Sequence, residues 1–151
     1  MPDFHLAQIN VARMLFPLDD PRMAEFVDNL DRINAIADAS PGFVWRLKDE
    51  TGNATVFRPL KPDILVNMSV WESLEALRGF IYRTDHSEFL RRAESWFHKP
   101  DKARFALWWV RAGTIPTVED GIKRLGRLRA KGASPEAFTF KERFPEPAEV
   151  V

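Results

Sequence analysis

The 151-residue chain contains no cysteine. That excludes disulfides, thiolate nucleophiles, iron–sulfur clusters and the usual cysteine-rich zinc sites, and it removes any sign of an oxidising compartment. Tyrosine occurs once, at Tyr82, and histidine three times, at His5, His86 and His98, so few side chains titrate near neutral pH. If one straight helix joined His86 to His98, a rise of about 1.5 Å per residue would part them by about 18 Å, too far for one ion. His5 lies outside their local sequence, and a protein-built mononuclear metal site is not expected. No run approaches the roughly 20 apolar residues of a membrane span. The N-terminal MPDFHLAQIN also lacks a basic stretch followed by a long apolar one. A soluble cytoplasmic protein without a membrane partner is the expectation. P-loop, GxGxxG, GxSxG and HExxH spacings are missing too, which leaves nucleotide and hydrolase chemistry without motif support.

Net charge is also lacking, with 22 basic and 22 acidic residues, but the balance is uneven along the chain. Residues 1–75 hold 7 basic and 12 acidic side chains, and the second half carries the opposite excess, much of it at Lys123, Arg124, Arg127, Arg129 and Lys131. Ile122, Leu125 and Leu128 fall on the other side of the same predicted helix, so the basic residues read as its solvated face. Without exposed stacking aromatics or a recognition motif, no nucleic-acid partner is expected.

A chain of this length fits a single domain, residues 1–151, that buries roughly 70% of the surface its unfolded form exposes. Residues 144–151 are expected to be a loose tail. Residues 4–15 are apolar at most positions of both parities and predict a strand covered on both faces. Asp20 before Pro21 marks a helix start, with Met23, Phe26, Val27, Leu30, Ile33 and Ala37 at helical spacing and a stop near Ser40-Pro41-Gly42. FVWRL (43–47), a turn at Thr51-Gly52-Asn53 and ATVF (54–57) read as a hairpin. ILVNMSVW (64–71) is a long strand that leads into a helix with Leu74, Leu77, Phe80 and Ile81 as its buried stripe. Thr84 reads as a fresh N-cap for a second helical segment that carries His86, Phe89, Leu90, Ala93, Trp96 and Phe97. FALWWV (105–110) predicts an interior strand. A helix between Thr117 and Gly132 and a short strand within AFTFKERF (137–144) complete the chain.

The order β, α, β, β, α, β with an appended helix and short strand gives an α+β fold of the ferredoxin-like, split βαβ type. Three strands are apolar on both faces, although the helices of such a fold cover one. A second copy packed face to face is the simplest cover, and a homodimer is expected.

The text WESLEAL within NMSVWESLEALRGFIYRTDHSEFLRRAESWF (67–97), the LWWV at 107–110 and GTIPTVEDGIKRLGRLRAKGASPEAFTF (113–140) carry a resemblance. The chain resembles the dimeric α/β-barrel superfamily of antibiotic-biosynthesis and haem-degrading monooxygenases. More closely, it resembles the domain-of-unknown-function 3291 family, which brings no established reaction. The haem-degrading members use an asparagine on the first strand, a tryptophan ending the third and a histidine on the following helix. By position these imply Asn10, Trp71 and His86, although the segment between Trp71 and His86 is longer here and breaks around Arg83-Thr84-Asp85.

Near the start of a helix, where free N–H groups and the dipole disfavour a protonated ring, His86 would stay neutral and could act as a base or ligate a metal centre. It could equally bond Asp85 or Glu88. Asn10 and Asn67 sit on strands expected to be buried and need partners, from a pocket or from an internal network. Trp71 either seals the core or touches a ligand. The resemblance implies cofactor-independent oxygenation of an apolar or aromatic small molecule: His86 removes a proton, the substrate anion reduces dioxygen, Asn10 or Asn67 donates to the oxyanion, and Trp71, Tyr82, Trp96 and Trp108 shape a dry pocket. Haem binding or degradation is one alternative. A non-catalytic binding or scaffold dimer, with all of these aromatics in its core, is the other.

Overall fold

The structure is a computed structural model that describes residues 3–50, 52–55 and 57–147. Strands β1 (Phe4–Arg13), β2 (Phe43–Arg46), β3 (Ile64–Trp71) and β4 (Phe105–Arg111) form one antiparallel sheet in the order β2-β3-β1-β4, the strand order of the ferredoxin-like fold. The predicted first helix is broken at Asn29 into α1 (Ala24–Asp28) and α2 (Leu30–Ala39), after a short 3-10 turn that Asp20 caps. At the break the Asn29 side-chain amide donates to the Glu25 carbonyl, a local bond of the kind that interrupts helices. Helix α3 (Leu74–Arg83) starts at Ser73, whose hydroxyl accepts from the Ala76 N–H, and buries Leu77. Helix α4 (His86–Arg91) follows after Thr84, and α5 (Val118–Lys131) runs from a Thr117–Asp120 capping box to Gly132.

Two expected strands are not built. Ala54, Thr55 and Phe57 form no strand: Asn53 Oδ1 accepts from both the N–H and the hydroxyl of Thr55, and this local turn takes the N–H a ladder would use, while Thr51 and Val56 lie outside the described residues. The C-terminal strand shrinks to one bridge in which Leu107 and Phe138 exchange two backbone bonds of 2.8 Å. Beyond it, Thr139 caps the Glu142 N–H and turns the chain away.

Register assigns the side chains to two faces, because successive residues of a strand point to opposite sides. Ala7, Ile9 and Val11 share one face with Val66, Met68, Val70, Ala106 and Trp108. This is the apolar set for which the sequence suggested a second copy as cover. Within the chain α5 lies on it: Leu125 and Leu128 pack into it, and Ala7, Ile9, Met68, Val70 and Ala106 have no exposed surface. A Cβ on Gly121 would come within 2.9 Å of Ile9 Cδ1 and of Met68 Sδ, so the missing side chain lets the helix lie against the sheet. Strand parity places the side chains of the sheet and does not say where α5 lies.

The other face carries Leu6, Gln8 and Asn10 opposite Trp71, Ser69 and Asn67, with Phe105, Leu107 and Trp109 beside them. Helices α1 to α4 lie over it. Gly42, at φ 80°, lets the β2 edge meet the start of α3: its carbonyl accepts from the Glu72 N–H at 2.7 Å, and a Cβ there would stand 2.5 Å from Ala76 Cβ.

Candidate functional site

Between this second face and the helices lies a cavity of about 350 Å³. Its floor is a ladder of neutral polar side chains, which the alternation Gln8-x-Asn10 and Asn67-x-Ser69-x-Trp71 places on one side of adjacent strands. Gln8 Nε2 donates to Ser69 Oγ at 2.7 Å and to Asn67 Oδ1 at 2.9 Å. Asn10 Nδ2 donates to Gln8 Oε1 at 3.1 Å and to Asn67 Oδ1 at 3.2 Å. At the far end the Trp71 indole N–H donates to Ser69 Oγ at 2.8 Å. Gln8 and Ser69 are buried, a position that polar side chains occupy when they are hydrogen-bonded.

One wall is aromatic. Trp71 is fully buried, stacks on Phe80 at 5.2 Å and meets the edge of Phe43 at 5.4 Å. Phe80 in turn lies 4.8 Å from the His86 ring. His86 is the first residue of α4. Its N–H bonds Thr84 Oγ1 at 3.2 Å, and its Nδ1 lies 3.4 Å from the Ile81 carbonyl. Burial holds its pKa below the ordinary 6.5, with the Ile81 carbonyl pulling weakly the other way. The ring is thus neutral for a different reason than the sequence suggested, since desolvation rather than the helix terminus is the cause. Asp85 bonds Arg32 at 2.7 Å instead of the imidazole.

His86, Asn10, Asn67, Trp71, Tyr82 and Trp96 all border the cavity. Trp108 does not. It belongs to the opposite face beneath α5, because the residue one step further along a strand points away. Tyr82 is exposed, its ring centroid 6.4 Å from that of Phe140, at the rim rather than within. Trp96 is nearly buried between Phe26 and Phe89, at 5.5 and 5.4 Å. Sequence reasoning missed Gln8, Ser69 and Arg46. The first two were signalled by the two-residue spacing around Asn10 and Asn67. Arg46, opposite Ser69, lines the cavity with a 10% exposed side chain that is held by Asp38 at 2.7 Å and by the Gly52 carbonyl at 2.6 Å. Among the described residues, no three of His, Asp and Glu gather in a way that could hold a metal ion, and no helix is long and apolar enough to cross a membrane.

Similar solved structures include NE2512 of Nitrosomonas europaea, a protein of unknown function (12% identity, TM-score 0.48, 78% of this chain and 99% of that one). Another is SnoaB of Streptomyces nogalater, a cofactor-independent oxygenase (18%, 0.48, 75% and 98%). A third is a putative antibiotic biosynthesis monooxygenase of Chloroflexus aurantiacus (14%, 0.46, 76% and 98%). No curated protein matches the chain in sequence. Residues 5–151 match the family described as "Domain of unknown function (DUF3291)", and the chain belongs to that family.

Proposed function

We propose that the protein is a small-molecule oxygenase that works without a cofactor on an apolar or aromatic compound bound in the cavity. The observation that carries this reading is a half-buried imidazole, its pKa lowered by desolvation, in the wall of an aromatic cavity whose floor offers uncharged hydrogen-bond donors. His86 takes the proton of an acidic phenol or enol. The substrate anion, held by an amide donor from Asn10 or Asn67, passes one electron to dioxygen, and recombination of the radical pair forms a carbon–oxygen bond. The resulting peroxide takes up the proton that His86 holds. Loss of water from it, with a hydrogen from the same carbon, leaves a carbonyl. Dry walls favour the anion's contact with fixed dipoles over contact with water.

Replacing His86 by alanine should abolish turnover while far-UV circular dichroism stays native. Full activity in that variant removes the base from the scheme. The acid limb of kcat/KM should fall below pH 6.5, the direction set by the lowered pKa of His86.

Haem binding is the second reading, favoured by His86 Nε2, which has no partner among the described residues and would be the iron ligand. Bound haem would supply oxygen activation at its iron. A Soret band on haem titration that His86→Ala weakens would replace the first reading by this one.

A further inference from the structure

We propose that Ser69, beyond the residues assigned above, is a direct hydrogen-bond donor to the ionised oxygen of the substrate, and that the site therefore selects compounds that bind as phenolates or enolates. The inference rests on the proposed function for the identity of the bound molecule and on the hydrogen-bond directions of the floor for the rest.

An indole N–H can only donate, so the bond from Trp71 Nε1 makes Ser69 Oγ an acceptor. Gln8 Nε2 supplies a second donor to the same oxygen. Both acceptor sites of the hydroxyl are then filled, and its hydrogen has no acceptor among the described residues. Ser69 borders the cavity, which is where that hydrogen is free to point. The same accounting applies at Asn67: its Oδ1 accepts from Gln8 and Asn10, and its two amide hydrogens have no acceptor among the described residues. The floor thus presents a hydroxyl donor and an amide donor from residues two apart on β3. Asn10 Oδ1, which accepts no bond among the described residues, lies on the neighbouring strand β1, and Gln8 Oε1 accepts one, from Asn10.

The amides could be turned over together, with Ser69 donating to Gln8 instead, and the same contacts would be satisfied. In that polarity Asn67 shows the cavity an acceptor. An anionic oxygen over β3 selects the first polarity, because only there do Ser69 and Asn67 both turn hydrogens toward it. A bound ketone or ether makes weaker use of the same donors, since hydrogen bonds to charged groups are roughly twice as strong as neutral ones. No cation is needed: Arg46, the charged side chain beside Ser69, is already held by Asp38 and the Gly52 carbonyl.

The test is a spectrophotometric pH titration of 4-nitrophenol, whose ionisation is read from its visible absorbance, in the presence of saturating protein. In the wild-type protein the bound probe should ionise about one unit lower than in free solution, which corresponds to phenolate binding about tenfold tighter than phenol. Ser69→Ala should remove most of that shift, and Ser69→Thr, which keeps the hydroxyl, should retain it. If Ser69→Ala does not fold, Ser69→Cys, with its weak S–H donor, is read in the same way. The shift should persist in His86→Gln, because it arises from donors and not from transfer of the proton to the imidazole. A shift that vanishes in His86→Gln but survives in Ser69→Ala overturns the assignment, as does an unshifted probe that nonetheless binds. Failure of the phenol to bind at all sinks the proposed function together with this inference.

Discussion

The two faces of the sheet are made by alternate residues of the same strands, yet they are put to opposite uses. Under α5, Ile9, Met68, Val70 and Trp108 are buried, so closely that a methyl group on Gly121 has no room. One residue further along each strand, Gln8, Asn10, Asn67 and Ser69 turn amides and a hydroxyl toward a hollow beneath four short helices. A shift of one residue in the register of β1 would exchange the two sets. Close packing on the first face fixes that register and so holds the polar groups of the second in place. Stability and chemistry are thereby separated by parity, so substitutions on the two faces should have separable effects.

The largest expected effect is that of Trp108→Ala, which should cost about 3–5 kcal/mol in urea unfolding by emptying a large side chain from the closed face. Its ligand affinity, measured under native conditions, should stay near that of the parent, and a large loss there would break the separation. Gln8→Leu comes next. It strips partners from Asn10, Asn67 and Ser69 and should cost about 1–3 kcal/mol, with altered ligand binding as its distinguishing sign. A smaller effect belongs to pH. Because the folded-state pKa of His86 is depressed, its neutral form is favoured by folding; its contribution is fully present above the ordinary value of 6.5 and is lost as the pH falls through the lower folded-state value. Unfolding curves of His86→Phe should therefore depend less on pH across that window than those of the parent. The smallest effect is that of Arg32→Ala at the exposed Arg32–Asp85 pair, about 0.2–1 kcal/mol and fading with salt.

Much of the frame was legible in the sequence. The long apolar runs mark β1, β3 and β4, and Thr117 and Gly132 mark the ends of α5 by a side chain or the lack of one. Turn chemistry was harder to read. ATVF has the composition of a strand, but a single side chain, Asn53, closes a local turn that composition does not reveal. The site was half legible. Polar residues on buried strands announced Asn10 and Asn67, whereas Trp108 was attractive only as an aromatic near the others and its parity places it on the wrong side. Whether an apolar face is covered by its own chain or by another depends on where a distant helix returns, and α5 is separated from β1 by about a hundred residues.

The junction at Gly42 has a mechanical meaning. The first turn of α3 is pinned to the sheet where Glu72 and Ala76 meet that glycine, and His86 rides just past the other end. Ten residues of helix make an arm of about 15 Å. A tilt of only a few degrees about the pinned end would carry the imidazole by about an ångström, enough to make or break a proton transfer, while the floor beneath it stays still.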